Sequence, residues 1–260
     1  AAGRAAIMGG NRNPSSVATS AVGSFSIVSG GRETIFGDIN PSGANAGSGL
    51  GNRTRGIVVR GTGGPSVSDA VEYLTMASIG DTITFGDLAT IAYRTGGASS
   101  SSTRGVFFGG RGAPGNPHNE IQFIQIMTLG NALDFGDLLS ITYGASNGLI
   151  SDGTRGFSAG GSTPSYTNVI NQIIFQTLGN ATDFGDLYVG NSGAGNLYPA
   201  GCSNKTRGIV GGGQTPASKL DVIDVFTMAS SGNATSFGSI ADARNLLSGF
   251  SDCHGGIGNE

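Results

Sequence analysis

The sequence has no tryptophan, two cysteines, two histidines and, as its complete lysine complement, Lys205 and Lys219. Only 12 % of its 260 residues are charged, well below the usual ~25 %, and the net charge is −3. So few cations leave no basic stripe of the kind a phosphate backbone requires, so nucleic acid is not an expected partner. No apolar run reaches the ~18 residues of a membrane-spanning helix, and no membrane partner is expected either. Structural zinc takes four ligands arranged in close pairs, whereas here only Cys253 and His254 are neighbours. Neither a metal nor any other cofactor is expected. Enzymes need titratable groups of tuned pKa gathered in one place. His118 sits in a Gly/Pro-rich loop and His254 near the chain's end, and both read as surface imidazoles. Catalysis is not expected. The chain starts at Ala1 and shows no signal peptide, so it reads as processed, trimmed or excerpted from something longer.

What the chain has in abundance is glycine, 48 residues of 260 against a usual ~7 %. No Gly-X-Y period accompanies it, which excludes collagen and assigns the excess to turns and bulges between many short strands. With so little charge, the surface must consist largely of Ser, Thr, Asn and Gly. A neutral polar surface of that kind suits an extracellular or virion protein.

A repeat organises everything else. Its clearest copy, residues 103–138, opens with Thr-Arg-Gly and a short apolar run closed by Gly109 and Gly110. A loop bearing Pro114 follows, then a β-like run over 121–127, a Leu-Gly-Asn turn at 129–131 and Asp-Phe-Gly-Asp-Leu at 134–138. The opening arginine recurs as Arg4, Arg55, Arg104, Arg155 and Arg207, and the phenylalanine as Phe36, Phe85, Phe135, Phe184 and Phe237. Loop prolines fall at Pro14, Pro65, Pro114, Pro164 and Pro216. A period of roughly fifty residues points to a propeller or a solenoid. The copies run 3–53, 54–102, 103–153, 154–205 and 206–248, and together make one domain over 1–260. Residues 249–260 form a tail in which 251–257 align loosely with the opening signal at 151–157.

Periodicity decides between helix and strand. Ile124, Leu74, Ile173, Phe226 and Phe25 occupy one repeat position, and Ile126, Met76, Phe175, Met228 and Ile27 the position two further on. Mostly polar residues stand between them, the pattern of a half-buried strand. Each copy thus offers four short strands: the Thr-Arg-Gly run, the Ile/Phe run, the Phe-Gly-Asp run and a variable run after it, such as 89–94. The Gly-Ala-Ser stretch 96–102 reads as a flexible linker. Four-stranded sheets repeated radially make a β-propeller, here all-β with five blades, whereas the coils of a parallel β-helix are shorter. The first copy has no variable strand ahead of it, and residues 241–250 are expected to supply one and close the ring.

The repeat length and the Gly-Gly ending resemble kelch repeats, although the kelch tryptophan is missing. The combined signature also resembles repeats in structural proteins of tailed phages of marine bacteria and cyanobacteria. Residues 179–187, Gly-Asn-Ala-Thr-Asp-Phe-Gly-Asp-Leu, carry the likeness most fully, and residues 130–138 differ by one. The first copy departs with Ile39, the fifth with Ser239 and Ile240. The resemblance implies a virion component and no reaction.

Arg4 with Asp38, Arg55 with Asp87, Arg104 with Asp137 and Arg155 with Asp186 are candidate ion pairs tying each blade together, while Arg207 faces Ser239. The competing reading is a ring of arginines that binds an anion. Phe-Gly reads as a core ring beside a glycine that admits another backbone. Cys202 and Cys253 are candidates for a disulfide closing a loop of about fifty residues. The expected function is a non-enzymatic virion protein, in capsid decoration or a tail fibre, binding other virion proteins, copies of itself or host-surface glycans. The alternative is a secreted, lectin-like propeller that binds surface polysaccharide.

Overall fold

The computed structural model describes residues 4–8, 11–12, 17–26, 32–39, 47–63, 66–92, 97–112, 116–146, 148–162, 164–188 and 195–249. These contain twenty strands and no helix. The first blade holds β1 (Arg4–Met8), the two-residue ribbon β2 (Asn11–Arg12) and β3 (Val17–Ala18), β4 (Ala21–Ser26) and β5 (Thr34–Asp38). The second holds β6 (Ser48–Gly51), β7 (Arg55–Gly63), β8 (Ser66–Thr75) and β9 (Ile83–Asp87). The third holds β10 (Ala98–Ser100), β11 (Arg104–Arg111), β12 (Pro117–Gln125) and β13 (Leu133–Asp137). In the fourth are β14 (Arg155–Ala159), β15 (Val169–Ile174) and β16 (Thr182–Asp186), with Ser151 bridging Gly156 at the inner edge. The fifth holds β17 (Ala200–Ser203), β18 (Arg207–Gly211), β19 (Val222–Thr227) and β20 (Thr235–Ser239). Each sheet is antiparallel with strands in chain order, and the whole is a five-bladed β-propeller on a four-stranded plan.

The fourth strand of the plan lies elsewhere than expected. The stretch read as a linker contains β10, the inner strand of the third blade, which precedes Thr-Arg-Gly instead of following Phe-Gly-Asp. Crowding is the reason. Ala98, Ser99 and Ser100 are 3 %, 0 % and 0 % exposed, and the Ser100 hydroxyl donates to the Gly51 carbonyl of the second blade at 3.0 Å. Ser99 donates to the Ile150 carbonyl of the fourth blade at 2.9 Å. Here small side chains pack between the inner strands of the two neighbouring blades, and a packed strand of that kind has the composition of a linker. Of the stretch 89–94, residues 89–92 are irregular and the rest lie outside the described residues.

In the second to fifth blades a side-chain oxygen three residues ahead of the opening arginine turns the inner strand into the next. Asn52 accepts the Thr54 and Arg55 amides at 2.9 Å, Asp152 those of Thr154 and Arg155, and Asn204 those of Thr206 and Arg207. Asn and Asp favour such turns because their oxygens copy a backbone carbonyl.

The apolar core is divided among the joints between blades. Val106 and Phe108 point toward the fourth blade and pack with Ile173 and Phe175, whereas Phe107 points toward the second and packs with Leu50 and Phe85. Strand alternation therefore buries both faces of the third blade. A cluster around Phe36 and Leu74 fills the first joint, and one around Phe157, Phe184 and Phe226 the fourth. Gln122 adds a buried polar clamp, donating to the Thr90 carbonyl at 2.9 Å and accepting the Thr90 amide at 3.0 Å.

The two most regular sequence signals turn out to be the two halves of one joint. The Gly130 amide donates to the Phe85 carbonyl at 3.0 Å, and the Ala132 amide to the Asp87 carbonyl at 2.8 Å. In return the Asn131 side chain accepts the Asp87 amide at 3.1 Å. The same three bonds join Gly80-Asp81-Thr82 to the first blade, Gly179-Asn180-Ala181 to the third and Gly232-Asn233-Ala234 to the fourth. Glycine follows the phenylalanine for the reason expected. A Cβ on Gly86 would stand 2.3 Å from the Gly130 carbonyl oxygen.

The expected closing strand follows another course. Within 241–249, the Arg244 amide donates to the Leu220 carbonyl, the Arg244 carbonyl accepts from Gly213, and the Leu246 amide donates to Tyr198. Gly249 bridges Gly148 of the fourth-blade connection. Among the described residues no backbone hydrogen bond joins the fifth blade to the first, and all five residues of β20 are exposed.

These contacts set a contrast between equivalent glycines. Gly136→Ala, whose Cβ would meet Gly179 backbone at 2.5 Å, is expected to cost about 3 kcal/mol, or roughly 6–12 °C in Tm. Gly238→Ala meets open space and should cost about 1–2 kcal/mol, from backbone strain alone. Thermal denaturation of the two variants checks the difference.

Candidate functional site

The arginines have partners other than the expected carboxylates. Arg55 donates to the Ile126 carbonyl of the third blade at 2.9 Å and lies over the Tyr73 ring, 4.5 Å from its centroid. Arg104 likewise donates to the Phe175 carbonyl and lies 4.6 Å over Phe123. Arg155 grips Asp152, three residues back, through two bonds of 2.6 and 2.8 Å. Register explains why Asp87, Asp137 and Asp186 are out of reach. Arg104 pairs with Gln125 and Asp137 with Glu120, five residues apart on β12 and so roughly 17 Å along the strand. The aspartates serve the joint through their main chain. Asp38 also accepts the Ser20 hydroxyl at 2.7 Å, and the side chain of Arg4 lies outside the described residues. Arg55 and Arg104 are therefore joint residues, held by the adjacent blade, and Arg207 at the same position of the fifth blade is exposed.

Carboxylates inside the blades also serve structure. Buried Glu72 faces Arg60 at 3.8 Å and accepts the Thr82 hydroxyl. Gln122 and Asn171 occupy the same register position and bind backbone of the preceding blade, Asn171 by accepting the Leu139 amide at 3.2 Å. Among the described residues no three of His, Cys, Asp and Glu come together as metal ligands would. Cys202 is a half-buried free thiol whose burial pushes its pKa up. Cys253, its expected partner, and His254 lie outside the described residues, as do Pro14, Pro65 and Pro114.

One rim of the propeller gathers Tyr143, whose counterpart in the second copy is Tyr93, with Arg111, Tyr166 and Tyr198, which the other copies do not share. The Arg111 guanidinium, at the end of β11, lies 4.1 Å over the Tyr143 ring. Tyr143 stands edge-on to Tyr198 at 6.5 Å. Tyr143 and Tyr166 both bridge Ser162, and the Tyr166 hydroxyl accepts from Gln214 at 2.8 Å. Asn245 donates in turn to Gln214. The three tyrosines are half-buried. Tyr198 has a φ of 57°, where the matching residue of the preceding connection is Gly144 at 64°. The match follows from the backbone, since the Tyr198 amide donates to Gly144 and the Leu246 amide to Tyr198. A side chain in that conformation costs roughly 1–2 kcal/mol. Leu246, next in the same series, also has a φ of 57°, so the conformation belongs to the repeated connection.

His118 is not the surface imidazole expected. Both ring nitrogens are shut off from solvent without a hydrogen-bond partner, as is the Nε of Arg111. Burial lowers the imidazole pKa, opposed by the Glu120 charge and the nearby Ile91 carbonyl. Tyr166, Tyr198 and Arg111 escape a reading that searches for repetition, because their signal is departure from the repeat, whereas Tyr143 has a counterpart in Tyr93 of the second copy. Comparison with protein-family models and with curated proteins finds no match for this chain.

Two outcomes are expected. Arg104→Ala should lower stability by about 2 kcal/mol, losing a charged hydrogen bond and a ring contact, whereas exposed Arg207→Ala should stay within about 0.5 kcal/mol. Urea denaturation separates them. For His118 the folded pKa lies below the unfolded value of about 6.5, so the unfolded chain takes up the extra proton and stability falls as pH drops below about 6.5. Tm measured from about pH 7.5 down to about pH 5 should fall less for His118→Gln than for the parent chain.

Proposed function

We propose that this chain is a non-enzymatic binding protein of a tailed-phage particle, in capsid decoration or a tail fibre, and that its Tyr143–Tyr198 rim grips host-surface polysaccharide. The observation that carries the binding reading is the rim: tyrosines, an arginine and amides gathered at one place, of which Arg111, Tyr166 and Tyr198 depart from the repeat. Tyrosine rings give the apolar faces of sugars a flat contact, while guanidinium, amide and phenol groups bond hydroxyls. The scaffold suits the task, because each inner blade is packed on both faces and its rim residues are held in place. Assignment to a particle rests on the likeness of the repeat to phage structural proteins, and the neutral polar surface agrees with it. Other virion proteins or further copies of the chain are its neighbours in that setting.

Mass spectrometry of purified particles should detect the chain, and titration of extracted host polysaccharide should show saturable binding. Tyr198→Gly, which removes the ring and adopts φ 57° freely, should weaken binding at least about tenfold, or about 1.4 kcal/mol, with Tm little changed. Abundance in culture medium without particle association moves the protein to the secreted alternative. Unchanged binding in Tyr198→Gly removes the rim from the site, and turnover of the polysaccharide overturns the non-enzymatic reading.

A further inference from the structure

The fifth blade ends in an unused half-joint. In the first four blades the phenylalanine of Phe-Gly-Asp is covered by the next blade: Phe36, Phe85, Phe135 and Phe184 are 1–4 % exposed. Phe237 is 57 % exposed. Where a Cβ on Gly37, Gly86, Gly136 or Gly185 would strike the following turn at 2.1–2.5 Å, one on Gly238 meets nothing within 4 Å. Arg55 and Arg104 reach across to a carbonyl of the next blade, and Arg207 has no such acceptor among the described residues. An open groove of ≈ 480 Å³ runs along this edge, lined by Arg207, Phe226, Asn233, Ser236 and Phe237 among others. The groove presents the Phe-Gly half of a joint that the molecule makes four times elsewhere.

The first blade does not carry the matching half. In every later blade the turn places Asn131, Asn180, Asn233 or Asp81 where a side-chain oxygen accepts the neighbour's amide. It then places Thr82, Ala132, Ala181 or Ala234, 3–5 % exposed, beneath the neighbour's strand. At these positions the first blade has Arg32 and Glu33, both exposed. A guanidinium carries no acceptor, so it cannot take the amide of residue 239. The Glu33 carboxylate would have to be buried without a partner in place of a methyl group. The first blade is therefore a charged cap on its outer face, and neither this chain's own first blade nor that of a second copy completes the fifth-blade edge. Inner blades of a second copy are already covered.

We infer that the edge formed by Arg207, Phe226 and β20 is a docking site for a separate polypeptide that presents the same Gly-Asn-Ala turn ahead of a strand. Ser239 in place of aspartate does not prevent this, because the joint uses only main-chain groups of that residue.

The test gives the chain the missing half. Arg32→Asn combined with Glu33→Ala is measured beside the parent chain by light scattering over a dilution series and by thermal denaturation. The edge then joins a second copy, so that mass rises toward twice that of the chain, or joins its own first blade, so that Tm rises at constant mass. Either gain must vanish when Gly238→Ala is added, since that Cβ fills the space the turn occupies. The parent chain should show no Gly238-dependent association. An unchanged mass and Tm in the double variant, or a gain that survives Gly238→Ala, overturns the docking site. Gly238-dependent self-association of the parent chain overturns the cap.

Discussion

The fold depends on a short backbone joint. An amide two residues ahead of a small buried side chain, that residue's own amide and an asparagine oxygen meet the carbonyls and amide of Phe-Gly-Asp on the preceding blade. These bonds lie between outer strand and turn, where a β-sheet would otherwise expose unpaired groups and invite aggregation. They also require that nothing stand between the two backbones, and glycine after phenylalanine meets that need. The phenylalanine then buries its ring beneath the joint it helps to form. Hydrogen bonding and apolar burial thus act on the same few residues, which is why the motif drifts so little along the chain.

Because both faces of an inner blade are buried, stability is distributed. Four apolar clusters lie at four joints, and no single cluster spans the molecule. In such arrays stability approximates a sum over units and nearest-neighbour interfaces. The rim differs in kind. The ring nitrogens of His118 and the Nε of Arg111 are shut off from solvent there, with the Ile91 carbonyl near the imidazole.

Much of this was legible in the sequence, for a physical reason. Phe135 and Gly136 are constrained by a contact that each joint repeats, so period and spacing reveal both the blade count and the close backbone approach. The ion pairs were not legible, because residues that recur together in a repeat need not be neighbours across strands. Arg104 and Asp137 recur in the second blade as Arg55 and Asp87, yet they sit at opposite ends of the sheet. The inner strand was hidden by its own crowding, since Ala98-Ser99-Ser100 in a packed strand has the composition of a mobile linker. The rim was hidden by the opposite circumstance: Tyr143 and Tyr198 occupy connections of unequal length, where alignment of the copies has least to compare.

The inner edge repeats the message of the outer one. Ser100 donates its hydroxyl to Gly51, Ser151 to Ser100 and Ser203 to Ser151, each at 3.0 Å and each toward the blade before it. The third, fourth and fifth blades thus read their predecessors at both radii, and the array has a direction as a sentence does. A gene for such a chain can gain or lose a unit cleanly only if both breakpoints fall at equivalent places in two repeats, for then every remaining blade still meets a proper predecessor. Any other breakpoint separates a turn from its strand. The joint therefore sets the grain of heritable change, making the whole repeat the smallest step by which this architecture can lengthen or shorten.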